Sequence, residues 1–149
     1  MEKTIYQLNI SNIWDPTNNK DFWEANIEVP DDCSLFELHQ FIQQILDFDN
    51  DHLYKFFAGR NELNNKIEFS EKPGYPSDGG DYMVVLLKNI YPLKGLKLYY
   101  LFDFGDNWVF EIRRSRKKIK LLQNTKYPRI VSDNGIKLMQ YYFYDDEDE

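Results

Sequence analysis

The sequence predicts an α+β domain in which one main helix packs across a mixed β-sheet. Two observations carry this prediction. Several short segments place apolar residues at every second position, which is typical of half-buried strands, and one segment places them at steps of three and four, which is typical of an amphipathic helix. The chain has 149 residues, of which 42% are hydrophobic, so it can bury one core and we expect a single domain.

Two strands are predicted near the N-terminus. Residues 4–10 (TIYQLNI) alternate between two faces, and residues 22–29 (FWEANIEV) do the same. The second of these strands carries its apolar face on Trp23, Ala25, Ile27 and Val29. Asp-Pro and paired asparagines between the two segments indicate a hairpin connection, and Pro30 ends the second strand.

The clearest element is a helix over about residues 34–47. Ser34 and Glu37 form the S-x-x-E capping box that marks a helix start. The apolar stripe that follows consists of Leu35, Leu38, Phe41, Ile42, Ile45 and Leu46. This stripe is wide enough to be buried against a sheet.

The remaining elements follow in order along the chain. Residues 52–59 predict a third strand, and residues 95–104 and 108–115 predict two strands around a Gly-Asp-Asn turn. Residues 60–81 are polar and are expected to cross the surface, while residues 81–89 fit either a strand or a short helix, with the helix favoured. Residues 126–149 are expected to be ordered coil, ending in an acidic tail at 145–149 after a domain that spans 1–144. A hairpin, a helix and then further strands are the plan of a β-grasp-like fold.

Three segments resemble a known family: SLFELHQFIQQILDFDNDHLYKF, LYYLFDFGDNW and YPRIVSDNG. The matching positions are Leu38, His39, Ile42, His52, Leu53, Phe56, Tyr100, Phe102, Asp103, Phe104, Gly105, Asp106 and Trp108. On these residues the chain resembles the plasmid pRiA-type ORF-three-like family, also described as insertion-element TnpR-like passenger proteins. The resemblance implies a β-grasp-like α+β domain and a helical turn at 81–89, and it implies no activity.

The chain departs from this family at two places. Phe110 stands where many members have a histidine, and the C-terminal region lacks the acidic–cysteine–glycine–glycine segment that members often carry. A site built on that histidine or cysteine therefore cannot exist here in the same form.

The D-F-G-D-x-W motif has two interpretations. Asp103 and Asp106 could be a metal-binding pair or a general acid and base, which requires that their surroundings separate their pKa values. Alternatively, the carboxylates accept backbone N–H groups in a tight turn, Gly105 supplies a positive φ, and Trp108 packs the hairpin onto the helix. We favour the structural interpretation.

Metal and cofactor sites are not expected. His39 and His52 are the only histidines and could approach each other, and with an aspartate they would make a three-ligand site. A histidine beside an apolar helix face more often makes a structural hydrogen bond. Cys33 lies at a helix N-terminus, where a thiolate would be stabilised, but no histidine adjoins it in the sequence.

The segment RRSRKKIK, residues 113–120, holds six basic residues in eight. Its candidate phosphate contacts are Arg113, Arg114, Arg116, Lys117 and Lys118. Tyr99, Tyr100 and Trp108 lie near enough in the sequence to stack on bases. Against this interpretation, the net charge of −7 repels phosphate, and a charge run is usually a solvated surface.

Composition points to a reducing cytoplasm. The chain has one cysteine and no basic segment followed by an apolar one at its start, so we expect neither a disulfide nor a signal peptide. No apolar run approaches membrane-spanning length.

Three functional hypotheses follow. The first is a non-enzymatic interaction module that binds a protein partner, the second is a weakly nucleic-acid-binding accessory protein of plasmids or transposons, and the third is a metal-dependent or hydrolytic enzyme that uses Asp103 and Asp106.

The purified protein should carry no stoichiometric zinc or iron, because one cysteine and two histidines form no cluster at ligand spacing. Elemental analysis checks this expectation. About one metal per chain, lost in His39→Ala or His52→Ala, would contradict it and favour the enzyme hypothesis.

Overall fold

A computed structural model of the chain describes residues 4–14, 22–69, 85–105, 107–117 and 119–140. The helices and strands in these ranges are β1 (Ile5–Trp14), β2 (Trp23–Pro30), α1 (Leu35–Leu46), β3 (Tyr54–Gly59), β4 (Ile67–Glu68), α2 (Leu87–Ile90), β5 (Lys97–Phe102), β6 (Trp108–Arg114) and β7 (Arg129–Gly135). The protein is thus an α+β domain dominated by its sheet.

The strands form one sheet in the order β4-β3-β5-β6-β1-β2-β7. Every pairing among the described strands is antiparallel, so the parallel pairs that a mixed sheet would contain are not found there. Sequence neighbours such as β5 and β6 are joined by a short turn, and a short turn can only join antiparallel strands. The β-grasp-like description stays a prediction.

Helix α1 covers one face of the sheet as predicted. The capping box is formed, because the Glu37 backbone N–H donates to Ser34 Oγ and the Ser34 N–H donates to the Glu37 carboxylate, both at 3.0 Å. The buried apolar residues of the helix are Leu35, Leu38, Ile42 and Leu46. They join the inward-facing side chains of β1, β2, β3, β5 and β6 in one core.

The predicted hairpin strands are confirmed with small shifts in their bounds. Strand β1 extends to Trp14, and in β2 the predicted inner face of Trp23, Ala25, Ile27 and Val29 is buried. The connection between these strands lies outside the described residues. Strand β3 begins at Tyr54, so His52 and Leu53 precede it rather than belong to it.

The structure describes parts of the polar stretch at residues 60–81 and of the segment at 81–89 that fits either a strand or a helix. A two-residue strand, β4, pairs with β3 inside residues 60–81, the polar stretch that was expected to cross the surface. Residues 70–84 lie outside the described residues. The helix alternative for 81–89 agrees with α2, which covers the end of that range.

Strand β7 is a correction, because residues 126–149 were expected to be coil. Arg129–Gly135 pairs with β2 along its length. Six of its seven residues are exposed, so the strand shows no apolar alternation in the sequence, and Asp, Asn and Gly are depleted in strands. Gly135 ends the strand at a φ of 101°, with the Phe22 backbone where a Cβ would lie. The acidic tail lies outside the described residues.

Trp108→Ala should lower the free energy of unfolding by about 3–5 kcal/mol, the range for large buried aromatics. The indole is 0% exposed and packs 5.0 Å from the Phe48 ring and 6.3 Å from the Phe110 ring. Urea denaturation checks this. Trp14→Ala is the matched control, because Trp14 is 49% exposed and its loss should cost at most about 1 kcal/mol. Equal losses for the two variants would contradict the core role of Trp108.

Candidate functional site

Asp103 fixes the turn between β5 and β6. Its backbone has a φ of 63°, its N–H donates to the Leu53 carbonyl at 2.8 Å, and its own carbonyl accepts from the Asn107 N–H. Its Oδ1 accepts from the Gly105 N–H at 3.2 Å. One aspartate therefore closes the turn and ties it to the chain entering β3, as the structural interpretation of the motif predicts.

The expectation for Gly105 is wrong. Positive φ values in this turn occur at Asp103 and Asn107 and not at Gly105, and a Cβ at Gly105 would meet Asp103 Oδ1 at an ordinary 3.5 Å. Aspartate and asparagine adopt the left-handed region because their short polar side chains bond locally. Asp106 lies outside the described residues, so the pairing of two carboxylates stays a prediction.

His39 lies at the centre of a closed set of hydrogen bonds that joins α1 to β5. Gln43 Nε2 donates to the Tyr100 hydroxyl at 3.0 Å, and that hydroxyl lies 2.6 Å from His39 Nδ1. His39 Nε2 lies 2.7 Å from Asn50 Oδ1, and the Asn50 backbone N–H returns to Gln43 Oε1 at 3.0 Å. We call these four residues the His39 network.

The network fixes the tautomer of neutral His39. Asn50 Oδ1 can only accept, so Nε2 carries the proton, and Nδ1 is left to accept from the Tyr100 hydroxyl. The imidazole stacks on the Tyr54 ring with centroids 3.5 Å apart and is 2% exposed. Burial lowers the pKa of His39 from 6.5 to about 4, against a smaller opposite effect of the hydrogen bond to Asn50.

A hollow of about 570 Å³ opens between α1 and residues 50–54, and we call it the α1 hollow. His39 and His52 both line this hollow. His52 is the solvent-facing one, with 37% of its side chain exposed, and its Nε2 lies 3.4 Å from carboxylate oxygens of both Asp51 and Asp103. Gln140 holds this wall, because its Nε2 donates to Asp51 Oδ1 at 2.8 Å.

This arrangement offers little chemistry to a ligand. Both ring nitrogens of His39 are engaged inside the protein, so it cannot pass a proton to a substrate without breaking the network. Among the described residues, no three His, Cys, Asp or Glu side chains are placed to hold a metal ion. Cys33 is buried, and burial raises the pKa of its thiol to about 12, helped by Glu37 and Asp32, so the thiol stays protonated despite its place before α1.

The basic run is divided between two sides of the molecule. Arg113 lies on the outer face, where its guanidinium contacts Glu111 at 3.6 Å and Asn9 at 3.3 Å. Arg114 instead packs on the rings of Tyr6 and Tyr91. Arg116 and Lys117 follow in the exposed segment after β6, and Lys118 lies outside the described residues.

The expected base-stacking platform does not exist. Tyr99, Tyr100 and Trp108 are each at most 1% exposed, so none of them can present a ring face to a nucleic acid. The side chains of Tyr100 and Trp108 point into the core, and Tyr99 stacks on Phe57 across the neighbouring strand at 5.2 Å.

Sequence reasoning missed most partners of His39. Tyr100 was considered as a residue that could stack on bases, and Gln43 and Asn50 were not singled out. One signal was present, because His39 and Gln43 are polar residues four positions apart beside the apolar stripe of α1. Polar residues at i and i+4 on a buried helix face indicate a shared partner across the interface.

The fold and the Asp103 turn together define a class of protein. It is a sheet-dominated α+β domain in which an amphipathic helix covers the sheet and an aspartate closes the hairpin between β5 and β6. The sequence model of the family described as plasmid pRiA4b ORF-3-like protein matches residues 17–137, and the chain therefore belongs to that family. The TnpR-like description stays a prediction.

Structure comparison agrees with the fold. A protein of unknown function, MM3350 from Methanosarcina mazei Go1, is similar with a TM-score of 0.68 and 22% identity, over 89% of this chain and 70% of that chain. At this identity the likeness concerns the fold alone. No curated protein matches the sequence. None of the described helices has the length and apolar character to cross a membrane.

Stability should fall as the pH is lowered from 6.5 towards 4. Unfolded His39 takes up a proton near 6.5 and folded His39 near 4, so between these values the unfolded state binds one more proton. The unfolding free energy should then drop by up to about 1.4 kcal/mol per pH unit. Urea titrations between about pH 7 and 5, above most carboxyl titration, check this.

His39→Gln should flatten this dependence, whereas His52→Gln, which leaves the His39 network intact, should keep it. NMR titration of the wild-type imidazoles gives a readout that needs no variant. A His39 midpoint near its ordinary value of 6.5 would contradict the buried neutral state.

Proposed function

We propose that this protein is a non-enzymatic interaction module that binds an extended segment of a partner protein along strand β7. One observation carries the proposal: β7 is a seven-residue strand at the end of the sheet order, with an exposed edge in the part of the chain that the structure describes. An open strand edge presents unpaired backbone groups to which another strand can add.

The backbone register identifies which donors face outwards. The Ile136 N–H donates to the Phe22 carbonyl at 2.8 Å, so Phe22 and Ile136 form a hydrogen-bonded pair. Antiparallel pairs alternate between bonded and non-bonded, and Asp133, opposite Ala25, falls on a non-bonded pair. The N–H of Asp133 is therefore directed away from β2 and towards the open edge.

Exposed apolar side chains accompany this edge. Ile130 and Val131 within β7, and Ile136 and Met139 just after it, are between 42% and 54% exposed. A protected edge strand usually carries lysine or proline, and β7 contains neither between its ends. An extended partner segment with apolar residues at alternate positions would satisfy both the backbone donors and these side chains.

The residues around the α1 hollow give a second argument against catalysis, which is less direct than the argument from the β7 edge. The internal hydrogen bonds of His39 favour a structural role, and Asp103 is occupied in its turn. A cytoplasmic location remains part of the proposal, supported by the single cysteine and its buried thiol.

The test compares Asp133→Pro with Asp133→Ala. Both variants remove the carboxylate, but only proline removes the outward N–H, and proline is tolerated at such edge positions. A partner isolated by affinity capture on the full chain is purified and titrated by calorimetry. We expect Asp133→Pro to weaken binding about tenfold, the loss expected for a main-chain hydrogen bond with its distorted neighbours, and Asp133→Ala to stay near wild type.

Capture of a protein does not by itself support the proposal. Amide exchange of the complex should show new protection in β7, and thermal melts should show that both variants fold. Protection elsewhere with an unchanged β7, or equal affinities for the proline and alanine variants, would refute binding at this edge.

A further inference from the structure

A second concave surface lies at the end of β6, which β1 and β2 separate from β7 in the sheet. Residues 115–117 and 119–121 lie against the start of β1, where Ile5 and Ile119 form an isolated antiparallel bridge and the Ser115 N–H donates to the Gln7 carbonyl at 2.8 Å. The two segments enclose a hollow of about 620 Å³, which we call the β6 hollow.

One side of the β6 hollow is a held guanidinium. The Arg114 Cζ lies 5.0 Å from the Tyr6 ring centroid and 4.9 Å from that of Tyr91, and these two rings meet edge to face at 5.8 Å. Stacking on two aromatic rings restricts the side chain while its N–H groups stay exposed. A restricted guanidinium loses less conformational entropy when it binds an anion.

The rim of the hollow is uniformly basic. Arg116, Lys117 and Lys120 line it together with Arg114, and no lining residue in the described chain is acidic. Burial raises the pKa of the Tyr91 hydroxyl well above its usual range, so that group stays neutral and does not offset Arg114. Four cations thus surround one opening in a chain whose net charge is −7.

The floor of the hollow is apolar. Ile119 is half-buried and Leu121 is 38% exposed, and these two side chains supply the aliphatic surface above the buried Ile5. A basic rim over an apolar floor matches a ligand that joins phosphate to a flat, poorly hydrated group, which is the composition of a nucleotide.

We propose that the β6 hollow binds single-stranded nucleic acid, with phosphates on the basic rim and one base on the aliphatic floor. A duplex keeps its bases stacked inside and cannot offer one to the floor, whereas a single strand can turn a base outwards. This site involves none of the β7 residues, so it stands or fails independently of the proposed protein interaction.

Fluorescence anisotropy with a labelled thymidine oligonucleotide tests the proposal on the full chain at about 50 mM salt, where phosphate contacts are strong. Arg114→Ala should weaken binding about tenfold and reduce the salt slope by about 0.7, the value for one phosphate of a single strand. Lys120→Ala, at an exposed rim position, should act in the same direction, and it keeps the test informative if Arg114→Ala fails to fold.

Arg113→Ala is the matched control. It removes the same charge from the adjacent residue, but Arg113 lies on the opposite side with Glu111 and Asn9, so affinity and salt slope should stay within about twofold of wild type, apart from weak long-range screening. An abasic strand with the same phosphates should bind at least several-fold more weakly than the thymidine strand, and it should not shift the NMR methyl signals of Ile119 and Leu121 as thymidine does.

Several results would overturn the proposal. They are the absence of binding at low salt, an effect of Arg113→Ala equal to that of Arg114→Ala, equal binding of the abasic strand or of a duplex, and tighter binding of a phosphoserine peptide. The last result would assign the hollow to a phosphorylated protein instead.

Discussion

The hydrogen bond between His39 and Tyr100 is the contact on which the arrangement of helix and sheet depends. It lies in the middle of an otherwise apolar interface, where a polar group without a partner costs about 1–3 kcal/mol. Tyr100 is 0% exposed and His39 is 2% exposed, so neither can turn to water for a replacement. Only one register of α1 over β5 lets Gln43 and Asn50 complete the set. The apolar stripe fixes which face of the helix is buried, and the polar network fixes where along the sheet it lies.

The same network positions the loop that follows α1. Asn50 has a φ of 55°, which a local hydrogen bond makes tolerable for asparagine, and its N–H and side chain are both used by helix residues. Residues 51–53 then lead directly to the Asp103 turn, because the Leu53 carbonyl accepts from the Asp103 N–H. The helix end, the entry to β3 and the β5–β6 turn are therefore one connected unit. Two residues of the D-F-G-D-x-W motif are held in this region, because Asp103 bonds within the turn and to Leu53 and the Trp108 ring is buried against Phe48.

The sequence predicted the elements whose signal is local. Ser34 and Glu37 marked the start of α1 within one residue, and the alternation from Trp23 to Val29 gave the inner face of β2. Prediction from the sequence failed where an element is stabilised by a contact with a distant part of the chain. Strand β7 exists because β2 offers an edge, and nothing within Arg129–Gly135 indicates that partner. The turn likewise takes its positive φ at Asp103, which depends on a carbonyl of Leu53 some fifty residues earlier. Tyr99 and Tyr100 looked like a stacking platform only while their burial was unknown.

The distribution of charge on the surface also cannot be read from the order of charged residues in the sequence. Arg113 and Arg114 are adjacent in the chain, but neighbouring residues of a strand point to opposite faces, so a linear run of cations does not make a patch. The net charge of −7 is likewise only indirect evidence about phosphate binding. At physiological salt, exposed charges are largely screened beyond about 8 Å. The acidic side chains elsewhere on the molecule therefore reduce long-range attraction to phosphate, yet they have little effect on a phosphate already in contact with Arg114 or Lys120. Net charge limits how fast such a ligand arrives, and the local arrangement of cations decides whether it stays.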